Sequence, residues 1–156
     1  MCDRLGRCLV ILSLVVNGLL LIYGEAQTSP ALREGKSFHE QDARQVMEGI
    51  RKAFEASNRN RVIGLFDSKR MPEFAAFRDQ VSQLFVQYES FQVRYHVDQI
   101  SQEGEFGSIV AEFVLQGFPV SDRQPDLRRR AQVHVVVTWD GTVWKIADIS
   151  PRNIFQ

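Results

Sequence analysis

The apolar positions between Ser37 and Phe155 change their period once, and that change separates two kinds of element. Ala43, Val46, Met47, Ile50 and Phe54 recur at helical spacing, with Glu48, Arg51, Lys52 and Glu55 between them. Such a stripe predicts an amphipathic helix with one core-facing side. Ser37 and Glu40 have the spacing of a capping box and mark its expected start. The polar cluster "SNRN" at 57–60 stops it. Val62, Ile63, Leu65 and Phe66 predict a short second helix that ends near Asp67-Ser68. Pro72 suits the first turn of a third helix, where a missing amide costs nothing. Phe74, Phe77, Val81, Leu84, Phe85 and Tyr88 carry that helix's apolar side.

After Ser90 the period becomes 2. Phe91, Val93, Tyr95 and Val97 alternate with Gln92, Arg94, His96 and Asp98. A turn, "EGEFG" at 103–107, leads to a second strand in which Ile109, Ala111, Phe113 and Leu115 share one face. After the loop "GFPVSDRQPD" come two more strands, "RRRAQVHVVVTW" and "TVWKIADIS". Asp140-Gly141 between them predicts a two-residue hairpin turn, because both positions tolerate positive φ. Three helices followed by a four-strand antiparallel meander is an α+β pattern. One sheet face is apolar throughout and is expected to be covered by the helices; the other is mixed.

A two-residue turn would set Val137 opposite Trp144, Val135 opposite Ile146 and Val133 opposite Asp148. Asp148 would then continue the apolar face. A carboxylate there would be a pocket acid suited to general-base work. The competing reading has the strand leaving the core, with Asp148 at a wet rim bonded to a backbone amide or to Arg129. His39 falls on the stripe of Ala43, Val46 and Ile50, either as a proton carrier at a pocket mouth or as a helix-start histidine half in water. Tyr95 and Tyr88 would orient a ligand through their hydroxyls or pack into the core. Together with Phe113, Trp144 and Met47 they form the expected lining of an apolar pocket.

His96, Asp98, Glu112 and His134 share the mixed face. A metal site there competes with solvated cross-strand pairs. The four residues are scattered among Arg94, Arg130 and Lys145, so pairs are expected and no metal. Val110, Val114, Val136 and Val143 make this face too apolar to be wholly wet, which fits a homodimer through the sheet. The arginines of "LRRR" at 127–130 alternate sides and make no single patch.

The chain has 156 residues, a length that suits one domain after its first segment is set aside. Arg4 and Arg7 precede the apolar run "CLVILSLVVNGLLLIY", and small residues Gly24 and Ala26 follow it. That order predicts a secretory signal peptide over 1–26, cleaved after Ala26, with an uncleaved anchor as the alternative. Residues 27–36, "QTSPALREGK", read as a polar spacer before a domain at 37–156. The expected location is the periplasm or the exterior, with the membrane touched only through the signal segment. Both cysteines, Cys2 and Cys8, fall in that segment, so the mature chain holds no thiol for disulfides, nucleophilic catalysis or metal binding. Charge balances at 19 basic against 19 acidic residues, which argues against a nucleic-acid partner. The motifs Gly-x-Ser-x-Gly, His-Glu-x-x-His, the phosphate loop and the dinucleotide fingerprint are absent, and no cofactor is expected.

The order helix, short helix, helix, curved antiparallel sheet resembles the nuclear transport factor 2-like superfamily, and the ending "DGTVWKIADISPRNIF" is similar to its last hairpin. The segment "MPEFAAFRDQVSQLFVQYESFQVRYHV" resembles exported bacterial members of that group. The resemblance spans 37–156 and implies a dimer and a conical pocket between sheet and helices. It leaves function open, because the fold hosts isomerases, dehydratases, cyclases and binding domains alike. Isomerase-like members carry an inward tyrosine on the first helix, where this chain's stripe has no hydroxyl or acid. For cyclase-like chemistry Asp148 and His39 are the stand-ins. The leading expectation is a non-catalytic domain that binds a small hydrophobic ligand or a partner in an apolar cone. The alternatives are a lyase or isomerase using Asp148, and an envelope protein that assembles through its sheet face.

Overall fold

The computed structural model describes residues 36–121 and 123–156. The expected signal peptide and residues 27–35 of the spacer lie outside the described residues. Three helices, α1 (Glu40–Glu55), α2 (Arg59–Gly64) and α3 (Phe74–Gln87), precede four strands. The strands are β1 (Tyr88–Glu103), β2 (Phe106–Pro119), β3 (Leu127–Trp139) and β4 (Trp144–Ser150), antiparallel in the order β1-β2-β3-β4. This is the expected α+β architecture of three helices on one face of a four-strand sheet. A short 3-10 helix, Arg152–Phe155, follows β4.

The core sits between the helices and the alternating inner face of the sheet. Ala43, Val46, Met47, Ile50 and Phe54 of α1 are buried, as their stripe requires. Opposite them lie Ile109, Ala111, Phe113 and Leu115 of β2 and Val133, Val135 and Val137 of β3. Burial of each large side chain contributes about 1.5–3 kcal/mol, so this layer dominates stability. Bulges in β1, between Tyr88 and Ser90 and between Val97 and Gln99, bend the longest strand. The chain after α2 runs along the open edge of β4, where Asp67 N donates to Ile146 O at 2.8 Å and Ile146 N to Leu65 O at 2.9 Å. That contact occupies backbone groups that an edge strand would otherwise leave free.

Four local expectations are corrected. First, α1 starts at Glu40 with His39 as its N-cap, and the His39 amide donates to the Asp42 carboxylate at 3.0 Å. Phe38, not Ser37 or His39, turns inward. Second, α3 begins after Glu73, whose φ of 54° interrupts any helix running from Pro72. Tyr88 caps that helix and opens β1 instead of lying on the helical face. Third, the β3–β4 loop has four residues. The Asp140 carboxylate accepts the amides of Thr142 at 2.8 Å and Val143 at 2.9 Å, and Gly141 takes φ 104°. Trp139 therefore faces Trp144, and Val137 faces Ile146.

The fourth correction concerns Asp148. Moving the register by two keeps every side chain on its face, so the longer loop alone would leave Asp148 inside. A bulge at Ala147 then adds one residue to β4. Asp148 pairs with Val136 and Ile149 with Val135. A one-residue shift reverses faces, so Ile149 is fully buried and Asp148 joins the outer row.

Candidate functional site

The interior of the helix–sheet layer is filled by the chain itself. Phe54 stacks on Phe155 at 5.9 Å and on Phe85 at 5.6 Å, and meets Phe91 edge-on at 5.5 Å. Phe77 packs edge-on against Phe155 at 5.7 Å and tilted against Phe66 at 4.4 Å. Of the expected pocket-lining residues, Met47 and Phe113 are 0% exposed within this packing, and Tyr88 is buried against Phe91 and Gly117. The four-residue 3-10 helix places Ile154 and Phe155 inside this layer.

Open space lies at the β3–β4 hairpin end. There a slot of about 290 Å3 is lined by Lys36, Asp42, Gln45, Val46, Leu65, Trp139, Trp144 and neighbours on the hairpin. Trp139 and Trp144 meet at 5.6 Å, and Phe38 packs edge-on against Trp144 at 4.9 Å. Gly107 is required for that arrangement, because a Cβ there would lie 2.5 Å from Phe38 Cδ1. Lys36 Nζ sits 3.9 Å from the Trp139 ring centre, a cation–π position. The buried Trp144 Nε1 has no hydrogen-bond acceptor among the described residues. Of the expected ligand-binding set, only Trp144 reaches this slot. Its other walls come from segments far apart in sequence, and no local motif marks them.

Beside the slot runs an open groove of about 1040 Å3, which shares Lys36, Trp139 and Lys145 with it. Its charged groups are largely engaged. Asp67 accepts the amides of Lys69 at 2.9 Å and Arg70 at 3.2 Å. Arg70 donates to the buried hydroxyl of Thr138 and pairs with Glu105 at 3.8 Å. Backbone amides of Val143 and Thr142 hold the Asp140 carboxyl below its ordinary range.

The expected catalytic pair is not brought together. Asp148 has a side chain 41% exposed; it accepts from Ile149 N at 2.9 Å and pairs with Arg152 at 2.7 Å. The backbone amide is one of the two partners that the wet-rim reading expects. Arg129, the other, donates to Gln156 O at 3.3 Å instead. His39 is exposed at the start of α1. Tyr95 is half-buried on the inner face of β1 and donates to Glu48 at 3.3 Å. Glu48 belongs to a network that sequence reasoning missed, with Arg51 at 2.5 Å and Lys52 at 3.6 Å; Arg51 continues to Glu55. The Arg51 hydrogen bond holds the Glu48 carboxyl at about 2, and burial, followed by the Glu48 charge, raises the Tyr95 hydroxyl. A carboxylate that acidic is a weak base at neutral pH. The only sequence signal was the i, i+3 and i, i+4 spacing of Glu48, Arg51 and Lys52.

On the outer sheet face, Glu112 pairs with Arg130 at 2.9 Å and Ser108 with His134 at 2.6 Å, while His96 approaches Asp98 at 4.0 Å. These are cross-strand and same-strand polar pairs of ordinary kind. The half-buried Val110, Val114 and Val136 lie among them.

No family model matches the chain, and no curated protein matches it. Solved structures do. A nuclear transport factor 2-like superfamily protein from Salmonella enterica superposes with a TM-score of 0.57 at 8% identity, over 70% of this chain and 86% of that one. A proposed scytalone dehydratase from Novosphingobium aromaticivorans gives 0.59 at 10% identity, over 70% and 79%. Bd1075 of Bdellovibrio bacteriovorus gives 0.56 at 16% identity, over 70% of this chain but 40% of Bd1075, so the match spans well under half of that protein. At these identities the likeness speaks to the fold. The helix order, the four-strand antiparallel sheet and these superpositions together give the chain the cone-shaped α+β fold of the nuclear transport factor 2-like superfamily.

Proposed function

We propose that this chain is an exported, non-catalytic binding domain whose ligand, a small apolar molecule, occupies the tryptophan slot rather than the interior of the cone. The observation that carries this reading is the contrast between the two places. Met47, Phe54, Phe113 and Phe155 fill the interior. The slot keeps about 290 Å3, with Val46, Leu65, Trp139 and Trp144 as apolar walls and Lys36, Asp42 and Gln45 among its polar ones. A few hundred Å3 of mostly apolar lining with a small number of polar groups is the usual form of a small-molecule site. The competing reading, a lyase or isomerase, takes support from the dehydratase among the structural neighbours. It is the weaker one, because the bulge at Ala147 aims Asp148 outward and Arg152 already neutralises its charge.

Export and dimerisation belong to the same proposal. The basic start and apolar run of residues 1–26 motivate export, and the mature chain is expected to begin at Gln27. The half-buried valines among charged pairs motivate a homodimer through the outer sheet face, in place of a purely structural assembly. Amino-terminal sequencing of the isolated protein tests the first point. Sedimentation of variants with charge substitutions at Glu112 and His134 tests the second, and a dimer that persists in them argues against the sheet face. The central test is native mass spectrometry of the isolated chain. A small apolar molecule retained by the protein and lost in Trp144→Ala is the expected result. An empty protein that takes up no apolar probe refutes the reading.

A further inference from the structure

The slot and the groove meet at Lys36, Trp139 and Lys145, so the neck between them carries two ammonium groups and one indole face. No carboxylate is shared by both spaces. The acids nearby have partners of their own. Asp42 takes the His39 amide at 3.0 Å and lies 3.8 Å from Lys36. Asp67 and Asp140 each accept two backbone amides, and the Lys145 charge adds a smaller pull on the Asp140 carboxyl. Glu105 pairs with Arg70. Among the described residues Lys145 donates to one acceptor, Gly64 O, at 2.5 Å, and an ammonium has three donors to place. Lys36 faces the Trp139 ring and the Asp42 carboxylate at its outer limit of pairing. Within the slot itself two cations stand against the one acid, Asp42, a surplus of one positive charge.

We infer that the ligand is an aliphatic monocarboxylate, its hydrocarbon chain between Trp139 and Trp144 and its carboxylate at the neck between Lys36 and Lys145. This inference rests on the binding reading above. It adds a charge and a polarity of entry, with the chain first and the head group left at the groove. A volume near 290 Å3 equals the liquid share of about ten waters, which suits a chain of medium length. Each methylene that enters the slot tightens binding about fourfold, until the slot is full.

The chain has two tryptophans, Trp139 and Trp144, and both line the slot. Intrinsic fluorescence of the isolated protein therefore reports this site alone. Octanoate, octanol and octylammonium are titrated in low and high salt. The expected order is octanoate, then octanol, then octylammonium, with salt weakening octanoate only. Lys36→Gln and Lys145→Gln each weaken octanoate about threefold to fivefold and leave octanol unchanged, while Lys145→Arg retains octanoate binding. Octanol binding as tightly as octanoate, or a preference for octylammonium, overturns the carboxylate inference and leaves the slot reading standing. Failure of all three probes to change the fluorescence overturns both.

Discussion

Phe155 is the residue on which the filled cone depends, and its truncation gives the sharpest test of that reading. It is second from the end of the sequence, a place where chain ends commonly fray. Yet it is 1% exposed, stacked on Phe54 with rings 3° from parallel and set edge-on to Phe77 at 82°. Removing a fully buried phenylalanine side chain to Ala costs about 3–5 kcal/mol, combining lost transfer energy with the cavity left behind. Domain stabilities run at about 5–15 kcal/mol, so Phe155→Ala should forfeit a large share. With a urea dependence of about 2 kcal/mol per M, the unfolding midpoint should fall by roughly 2 M with little change in slope. Phe106→Ala is the comparison: that ring is 40% exposed, and its loss should cost much less. If Phe155→Ala costs less than about 1 kcal/mol, the carboxy-terminal turn is not a fixed part of the core. The cone interior would then be open space, and the case for the tryptophan slot would lose its premise.

Three further outcomes follow from the same packing. Gly107→Ala drives a Cβ to 2.5 Å from Phe38 and 2.8 Å from Val137, so it should cost about 1–3 kcal/mol by overpacking and shift tryptophan emission as Phe38 moves on Trp144. Glu48 is held near 2, against an ordinary 4.5, chiefly by Arg51. A depressed carboxyl stabilises the fold above its unfolded value and loses that contribution as pH falls from about 4.5 towards 2. Urea midpoints of Glu48→Gln should therefore lack that part of the acid slope, while at neutral pH the variant loses less than about 1 kcal/mol, since the side chain is one-third exposed and screened. Asp148→Asn removes only the pair with Arg152, so it should change stability by about 0–1 kcal/mol and leave probe binding in the slot untouched; a large loss of binding would return Asp148 to the site.

The periodic parts of this fold were legible because burial is a property of the pattern. The stripe on α1 and the alternation along β2 are buried position for position where the spacing put them. What the pattern could not carry are choices decided by single contacts. His39 and Asp42 outcompete Ser37 and Glu40 as the cap because Phe38 is drawn inward by Trp144 and by the gap over Gly107. Asp140 lengthens the hairpin loop by taking two amides with its side chain, a local competition that the dipeptide signal does not reveal. The slot was invisible for another reason. Lys36, Val46, Leu65, Trp139 and Trp144 come from five segments, and only the folded register of β3 and β4 brings them together.

The bulge at Ala147 decides whether the chain carries an acid in its core, and it can be tested by deletion. In the observed ladder Ala147 is the extra residue, inserted between the pairs Val137–Ile146 and Val136–Asp148. Taking it out would join those pairs into a regular ladder, with Asp148 still outside and Ile149 still opposite Val135. The loss is then one small side chain, 6% exposed, worth about 1 kcal/mol. In a strand without the bulge the same deletion would shift everything beyond it by one residue. There Asp148 starts inside and Ile149 outside, so the deletion would turn the carboxylate out and bring Ile149 in, a gain of about 1.5–3 kcal/mol for that side chain alone. The carboxylate and the isoleucine cannot both be inside, because they are adjacent and a strand alternates. Thermal unfolding of the Ala147 deletion therefore separates the two arrangements. A small loss supports the outward Asp148 on which the non-catalytic reading depends; a clear gain in stability would mean that the regular register, and an inward acid, is the true state of β4.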